Sequence, residues 1–170
     1  MRFDFVNLDK LRRGILYGLL LLLFLLLQNV VFSRVTVLGV RCFFLPALVV
    51  SVGLFEGGVW GGVFGLCAGL LSDLAGASAA VTFTILFPAL GFFSGLLAQF
   101  LLNRRFFSYF ALCLLALALT AFCQSFALFV FQGAPWPALL RTGLLQVLWS
   151  LPFSVPAYFI CRSLSARHFD

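Results

Sequence analysis

Apolar residues fill this chain in long blocks, interrupted by short clusters of polar residues, glycines and prolines. The first block spans about 14–32 and is Leu-rich up to Gln28 and Asn29. A linker from Ser33 to Arg41 follows, carrying Arg34 and Arg41. The second block spans about 42–55, is short for a span and holds Pro46. After a Glu56-Gly57-Gly58 turn the third spans about 57–74, and the small residues Gly76 to Ser78 separate it from the fourth at about 79–102. Asn103-Arg104-Arg105 precede the fifth at about 107–131. A Gly/Pro turn from Gln132 to Pro137 leads to the sixth at about 138–160, which contains Pro152 and Pro156.

These blocks are apolar on every face, so they are not barrel strands, which alternate apolar and polar residues in segments of about ten. A membrane-spanning helix needs about 20 predominantly apolar residues, and roughly six use about 120. The pattern therefore predicts an all-α membrane protein, a six-transmembrane-helix bundle in one domain over 1–170, with no room for a soluble domain. Prolines inside such helices are tolerated where neighbours re-satisfy the freed backbone groups. Arg12 and Arg13 precede the first block, but its length suits a full span and no small-residue cleavage site follows. It is expected to remain as an uncleaved helix.

Composition agrees: 64% of residues are hydrophobic, 9% are charged and the mean hydropathy is +1.17. A soluble domain carries about a quarter charged residues. The net charge of +6 does not indicate nucleic acid, because the basic residues sit at block ends without a basic face. They indicate topology instead. With six spans, Arg2, Lys10, Arg12, Arg13, Arg104, Arg105, Arg162 and Arg167 share one side, and Arg34, Arg41 and Arg141 the other. The positive-inside rule then places both termini in the cytoplasm. Trp60, Trp136, Trp149, Tyr17, Tyr109 and Tyr158 lie mostly toward block ends, as interface anchors do. Lipid-facing packing accounts for the 23 phenylalanines.

Equipment for catalysis is not visible. The five cysteines have no metal spacing and read as small buried hydrophobes. His168 stands alone in the tail, without further metal ligands. No internal His or Lys could act as base to a Ser or Cys nucleophile, and no phosphate loop or hydrolase motif occurs. Neither an enzyme nor a bound cofactor is expected.

The most informative stretch is the third block. Gly57, Gly61, Gly65 and Gly69 recur every fourth residue, a smooth stripe that lets helix backbones approach closely. Gly91 and Gly95 offer a matching surface on the fourth block, so the two are expected to pack together. The stripe reads either as internal helix packing or as a partner-binding groove. Asp73 is the one acid well inside an apolar stretch, where a charge costs about 2.5–3.5 kcal/mol at the bilayer centre. It lies roughly 24 Å beyond Gly57 at 1.5 Å per residue, toward the outer interface. An ion pair with Arg41 or Arg141, or capping of the Gly76 to Ser78 turn, is the leading expectation; contact with a partner or ligand and a proton relay are the alternatives.

The order of features resembles the MreD family of rod-shape-determining membrane proteins. The residues that carry the resemblance are Leu38-Gly39-Val40-Arg41, the run Gly61 to Gly76 with Gly69, Leu70 and Asp73 at a GLxxD signature, and Gly91-Phe92-Phe93-Ser94-Gly95-Leu96. Motif content extends over about Leu38 to Arg105; length and hydropathy carry the rest. The resemblance implies a non-enzymatic scaffold in the bacterial inner membrane, serving cell elongation and lateral peptidoglycan synthesis. The implied partners are MreC, MreB with RodZ, and the cell-wall synthases; homo-oligomerisation is left open. It also implies a fold similar to the substrate-binding subunits of energy-coupling-factor vitamin transporters. Hence the alternative function, capture of a small molecule, which needs polar side chains converging on one cavity. Thr82, Thr84, Gln99, Gln124 and Gln146 are scattered over three blocks, each expected to make an interhelical hydrogen bond of order 1 kcal/mol.

Overall fold

The computed structural model describes the backbone of residues 3–31, 42–75, 82–100, 106–133 and 135–166. Almost all of these residues are helical. The elements are α1 (Phe3–Leu26), continued by a π-helical turn (Leu27–Val31), then α2 (Leu45–Glu56), α3 (Gly58–Leu74), α4 (Thr82–Phe100), α5 (Phe106–Gln132) and α6 (Trp136–Ala166). The six apolar blocks are therefore six helices, with shifted ends. Helix α1 starts at Phe3 rather than Gly14, and α6 runs past Ile160 to Ala166, because polar and charged residues extend a helix as readily as apolar ones. Hydropathy locates the apolar part of a helix and not its ends.

Among the described residues, three helices are long and apolar enough to cross a membrane, over Thr82–Gln99, Phe107–Val130 and Trp136–Ser165. The apolar stretches Gly14–Val30, Leu45–Glu56 and Gly58–Leu74 are shorter. The most pronounced case is α2: twelve residues reach only roughly 18 Å, against a hydrocarbon core of about 30 Å. Among the described residues, three of the six expected spans meet the length requirement. Most residues that set the orientation, among them Arg34, Arg41, Arg104 and Arg105, lie outside the described residues.

Helix α2 is the centre of the fold. Every residue from Leu45 to Phe55 is buried, and α3, α4, α5 and α6 all pack on it. This explains a helix apolar on all sides yet too short to span: protein, rather than lipid, surrounds it. Pro46 sits in its first turn, where a missing N–H costs nothing. Helices α3 and α4 form the most extensive pair, and α5 and α6 a second hairpin. Helix α1 stands farther from the others and meets them through side chains, Tyr17 against Phe64 and Phe24 against Phe44, with ring centroids 6.2 and 5.4 Å apart.

The aromatic residues divide between core and surface. Phe43, Phe44, Phe83 and Phe87 are buried, and Phe43 stacks on Phe83 at 4.9 Å. Phe93, Phe107, Phe122 and Phe126 are exposed. Lipid-facing packing therefore accounts for only part of the phenylalanine content. The interface-anchor expectation also fails for Tyr17, Tyr109 and Tyr158, which are all buried. Tyr109 is held in the interior by hydrogen bonds. Its hydroxyl donates to the Ser154 carbonyl of α6 at 2.8 Å and lies 3.0 Å from the Ser51 hydroxyl of α2. A tyrosine whose O–H finds such partners is stable inside a core.

Candidate functional site

The glycine stripe and Asp73 form one continuous joint between α3 and α4. Each glycine on the facing side of α3 meets backbone, not side chain, of α4. A Cβ added at Gly61 would lie 2.5 Å from the Gly91 carbonyl oxygen and 2.6 Å from the Gly53 Cα. At Gly65 it would strike the Phe87 carbonyl and come within 2.9 Å of the Pro88 nitrogen. At Gly69 it would strike the Phe83 carbonyl and approach the Thr84 Cα to 2.8 Å. From the other helix, Gly91 closes on Gly61, and Gly95 on Gly57 and Gly58. No side chain fits at these crossings, and the close approach maximises the dispersion contact on which helix association in lipid depends.

Two details were not legible in the spacing. Gly57 has a different task from the other glycines: it forms the α2–α3 corner with φ +96° and ψ 171°, a conformation essentially restricted to glycine. Gly53, on α2, joins Gly61 and Gly91 in a junction where three helices meet backbone to backbone; an added Cβ would strike Ser94 and the Gly91 carbonyl. Gly53 stands alone in the second block, and only the packing of a third helix reveals its role.

Asp73 closes the far end of the joint. One carboxylate oxygen, Oδ2, accepts from the Thr84 backbone N–H at 2.8 Å and from the Thr84 hydroxyl at 2.7 Å; the other, Oδ1, accepts from the Phe83 N–H at 3.4 Å. The first N–H groups of a helix have no partner within it, and the helix dipole favours a negative charge there. An N-cap Ser, Thr, Asp or Asn normally serves them, but the residue before Thr82 is Val81, which has no acceptor. Asp73 supplies the cap from the preceding helix. The anticipated ion pair with Arg141 is not among its described contacts, and Arg41 and the Gly76 to Ser78 turn lie outside the described residues. The described bonds of Asp73 go to the start of α4.

Other polar groups bond either between helices or within their own helix. Gln146 donates to Gln124 across the α5–α6 hairpin at 2.8 Å, the interhelical hydrogen bond expected of these two residues. The Ser150 hydroxyl of α6 accepts from the Phe43 N–H ahead of α2 at 3.0 Å. Buried Ser72, Ser94 and Thr120 donate to carbonyls of their own helices. Among the described residues, no group of His, Cys, Asp and Glu is placed to hold a metal ion.

A cavity of about 440 Å³ lies apart from this joint, between α1 on one side and α2 and α3 on the other. Its lining includes Gly14, Gly18, Leu21, Val63, Phe64 and Leu71, with the Tyr17 hydroxyl donating to Glu56 Oε1 at 2.8 Å. Thr82, Thr84, Gln99, Gln124 and Gln146 are not part of that lining.

Comparison with protein families, with curated proteins and with solved structures finds no match.

Proposed function

We propose that this protein is a multi-pass scaffold of the bacterial inner membrane that serves cell elongation as MreD-like proteins do, binding an MreC-like partner and, through it, the MreB, RodZ and cell-wall synthase machinery. The observation that supports this most is the structural use of two signature residues, Gly69 and Asp73. Gly69 lies against the α4 backbone, and Asp73 is spent on the α4 N-terminus. A motif used up in building a hairpin suits a protein whose task is to hold shape and present surfaces. The outward residues of that hairpin, Val59, Leu66, Leu70, Ile85 and Phe93, are large, apolar and exposed, as lipid- or partner-facing residues should be. In this reading both termini are cytoplasmic, and the short helices α2 and α3 complete a six-helix bundle inside the membrane.

Capture of a polar small molecule has less support, since the side chains that would recognise it do not line the cavity. The test of the scaffold reading is genetic and biochemical together. Depletion in a rod-shaped host should round the cells, and the tagged protein should co-purify with an MreC-like single-span protein. Unchanged cell shape with no such partner retained would refute the proposal. A gene for an MreC-like protein beside this one is the cheapest supporting observation.

A further inference from the structure

The cavity between α1 and α3 is independent of the α3–α4 joint, and what it holds does not depend on the scaffold reading. Its walls are almost wholly apolar, and they are long. The lining residues on α1 run from Gly14 to Leu22, roughly 12 Å at 1.5 Å per residue, and those on α3 from Trp60 to Leu71, roughly 16 Å. Gly14 and Gly18, one turn apart on α1, leave the space open: a Cβ at either would meet nothing within 4 Å. At 440 Å³ the cavity is within the range of about 300–1,000 Å³ that ligand sites occupy, and such sites are typically apolar with a few placed polar groups.

Here the polar groups are concentrated at one end. Glu56 sits at the α2–α3 corner, at the close of α2, and accepts from Tyr17. A carboxylate has about four lone-pair positions, and the Tyr17 hydroxyl takes one of them. The gap is too narrow for another helix. About 440 Å³ spread over roughly 12–16 Å of length is too little for a helix about 10–12 Å across, and the Tyr17 side chain crosses the space to Glu56 at 2.8 Å. An extended hydrocarbon chain can pass where a helix cannot.

We propose that this cavity is a lipid site that takes one acyl chain of a phospholipid whose headgroup carries an N–H-bearing ammonium, with the tail lying along Gly14, Gly18, Val63 and Leu71 and the ammonium donating to Glu56. An unfilled apolar space forfeits dispersion contacts along its whole lining, and the tail restores them. The carboxylate makes the site selective. A quaternary ammonium has the charge but no N–H to donate, and a glycerol headgroup brings a phosphate with no compensating cation.

The test uses the full chain in mild detergent with an equimolar mixture of phosphatidylethanolamine, phosphatidylcholine and phosphatidylglycerol of matched acyl chains, read by native mass spectrometry. One phosphatidylethanolamine per chain should be retained, about tenfold over phosphatidylcholine, the scale of one charge-assisted hydrogen bond. Gly18→Leu should fill the channel and release the lipid, and Gly14→Leu should act alike, with helical content by circular dichroism unchanged in both. Glu56→Gln should keep a lipid bound but lose the headgroup preference. Four results would overturn the proposal: no lipid retained, phosphatidylcholine or phosphatidylglycerol retained as well as phosphatidylethanolamine, undiminished lipid in both folded leucine variants, or a dimer that Gly18→Leu dissociates, which would put a second copy of the chain at this face.

Discussion

Glycines four residues apart occur on both α1 and α3, and the two helices use them in opposite ways. On α3, Gly61, Gly65 and Gly69 are pressed against the backbone of α4, with no space for a methyl group. On α1, Gly14 and Gly18 face open space. The spacing is the same and its meaning is reversed. A small-residue stripe states only that a surface is smooth; the neighbour decides whether it becomes a contact or a cavity. Where α4 offers Gly91 and Gly95 in register, backbones close upon each other. Where α3 turns Trp60, Val63, Phe64 and Cys67 toward α1, a cavity lies between the helices.

Substitutions can break this contrast, and the largest effect is expected within the seam. Gly65→Ala should destabilise by about 3 kcal/mol, because the new methyl meets backbone atoms of Phe87 and Pro88 that move only if the whole helix moves. Reversible unfolding in mixed micelles would measure it; a loss below about 1 kcal/mol would show that the seam can yield, since overpacking a tight site typically costs 1–3 kcal/mol.

At the end of the seam, Asp73→Ala should cost about 2 kcal/mol in the same assay by leaving two helix N–H groups of α4 without their cap. Asp73→Asn, which keeps one oxygen to accept from Thr84 but loses the charge and the weaker 3.4 Å bond from the Phe83 N–H, should cost under about 1 kcal/mol. Equal losses from the two variants would mean that the negative charge, rather than the hydrogen bonds, is what the site requires.

The smallest effect has the opposite sign. Gly18→Ala on α1 should stabilise by about 0.5–1 kcal/mol, since the methyl enters open space and alanine is the better helix former. If Gly18→Ala were as damaging as Gly65→Ala, α1 would have to pack as closely as α4 does, and the distinction between the two glycine pairs would collapse.

Much of the architecture was legible in the chain. Hydropathy alone located six helices, because long uniformly apolar runs have few other structural solutions. The pairing of α3 with α4 followed from matched glycines, and an acid inside an apolar stretch marked Asp73 as a residue with a partner. The roles of Ser51, Tyr109 and Ser154 were not legible. Each is an ordinary residue in its own helix, and their hydrogen bonds join positions more than forty residues apart in sequence. The same holds for Thr84, whose two bonds to Asp73 depend on how the chain re-enters α4.

By itself, then, the sequence determined what the helices are and how smooth each face is, since both follow from local residue type and period. The tertiary structure alone decided what each face meets. It enclosed α2 on every side, set α4 against one glycine stripe, and left Gly14 and Gly18 over a cavity. The physical reason is that a glycine has no side chain with which to specify a partner. It permits contact, and the surface brought opposite to it determines whether contact is made.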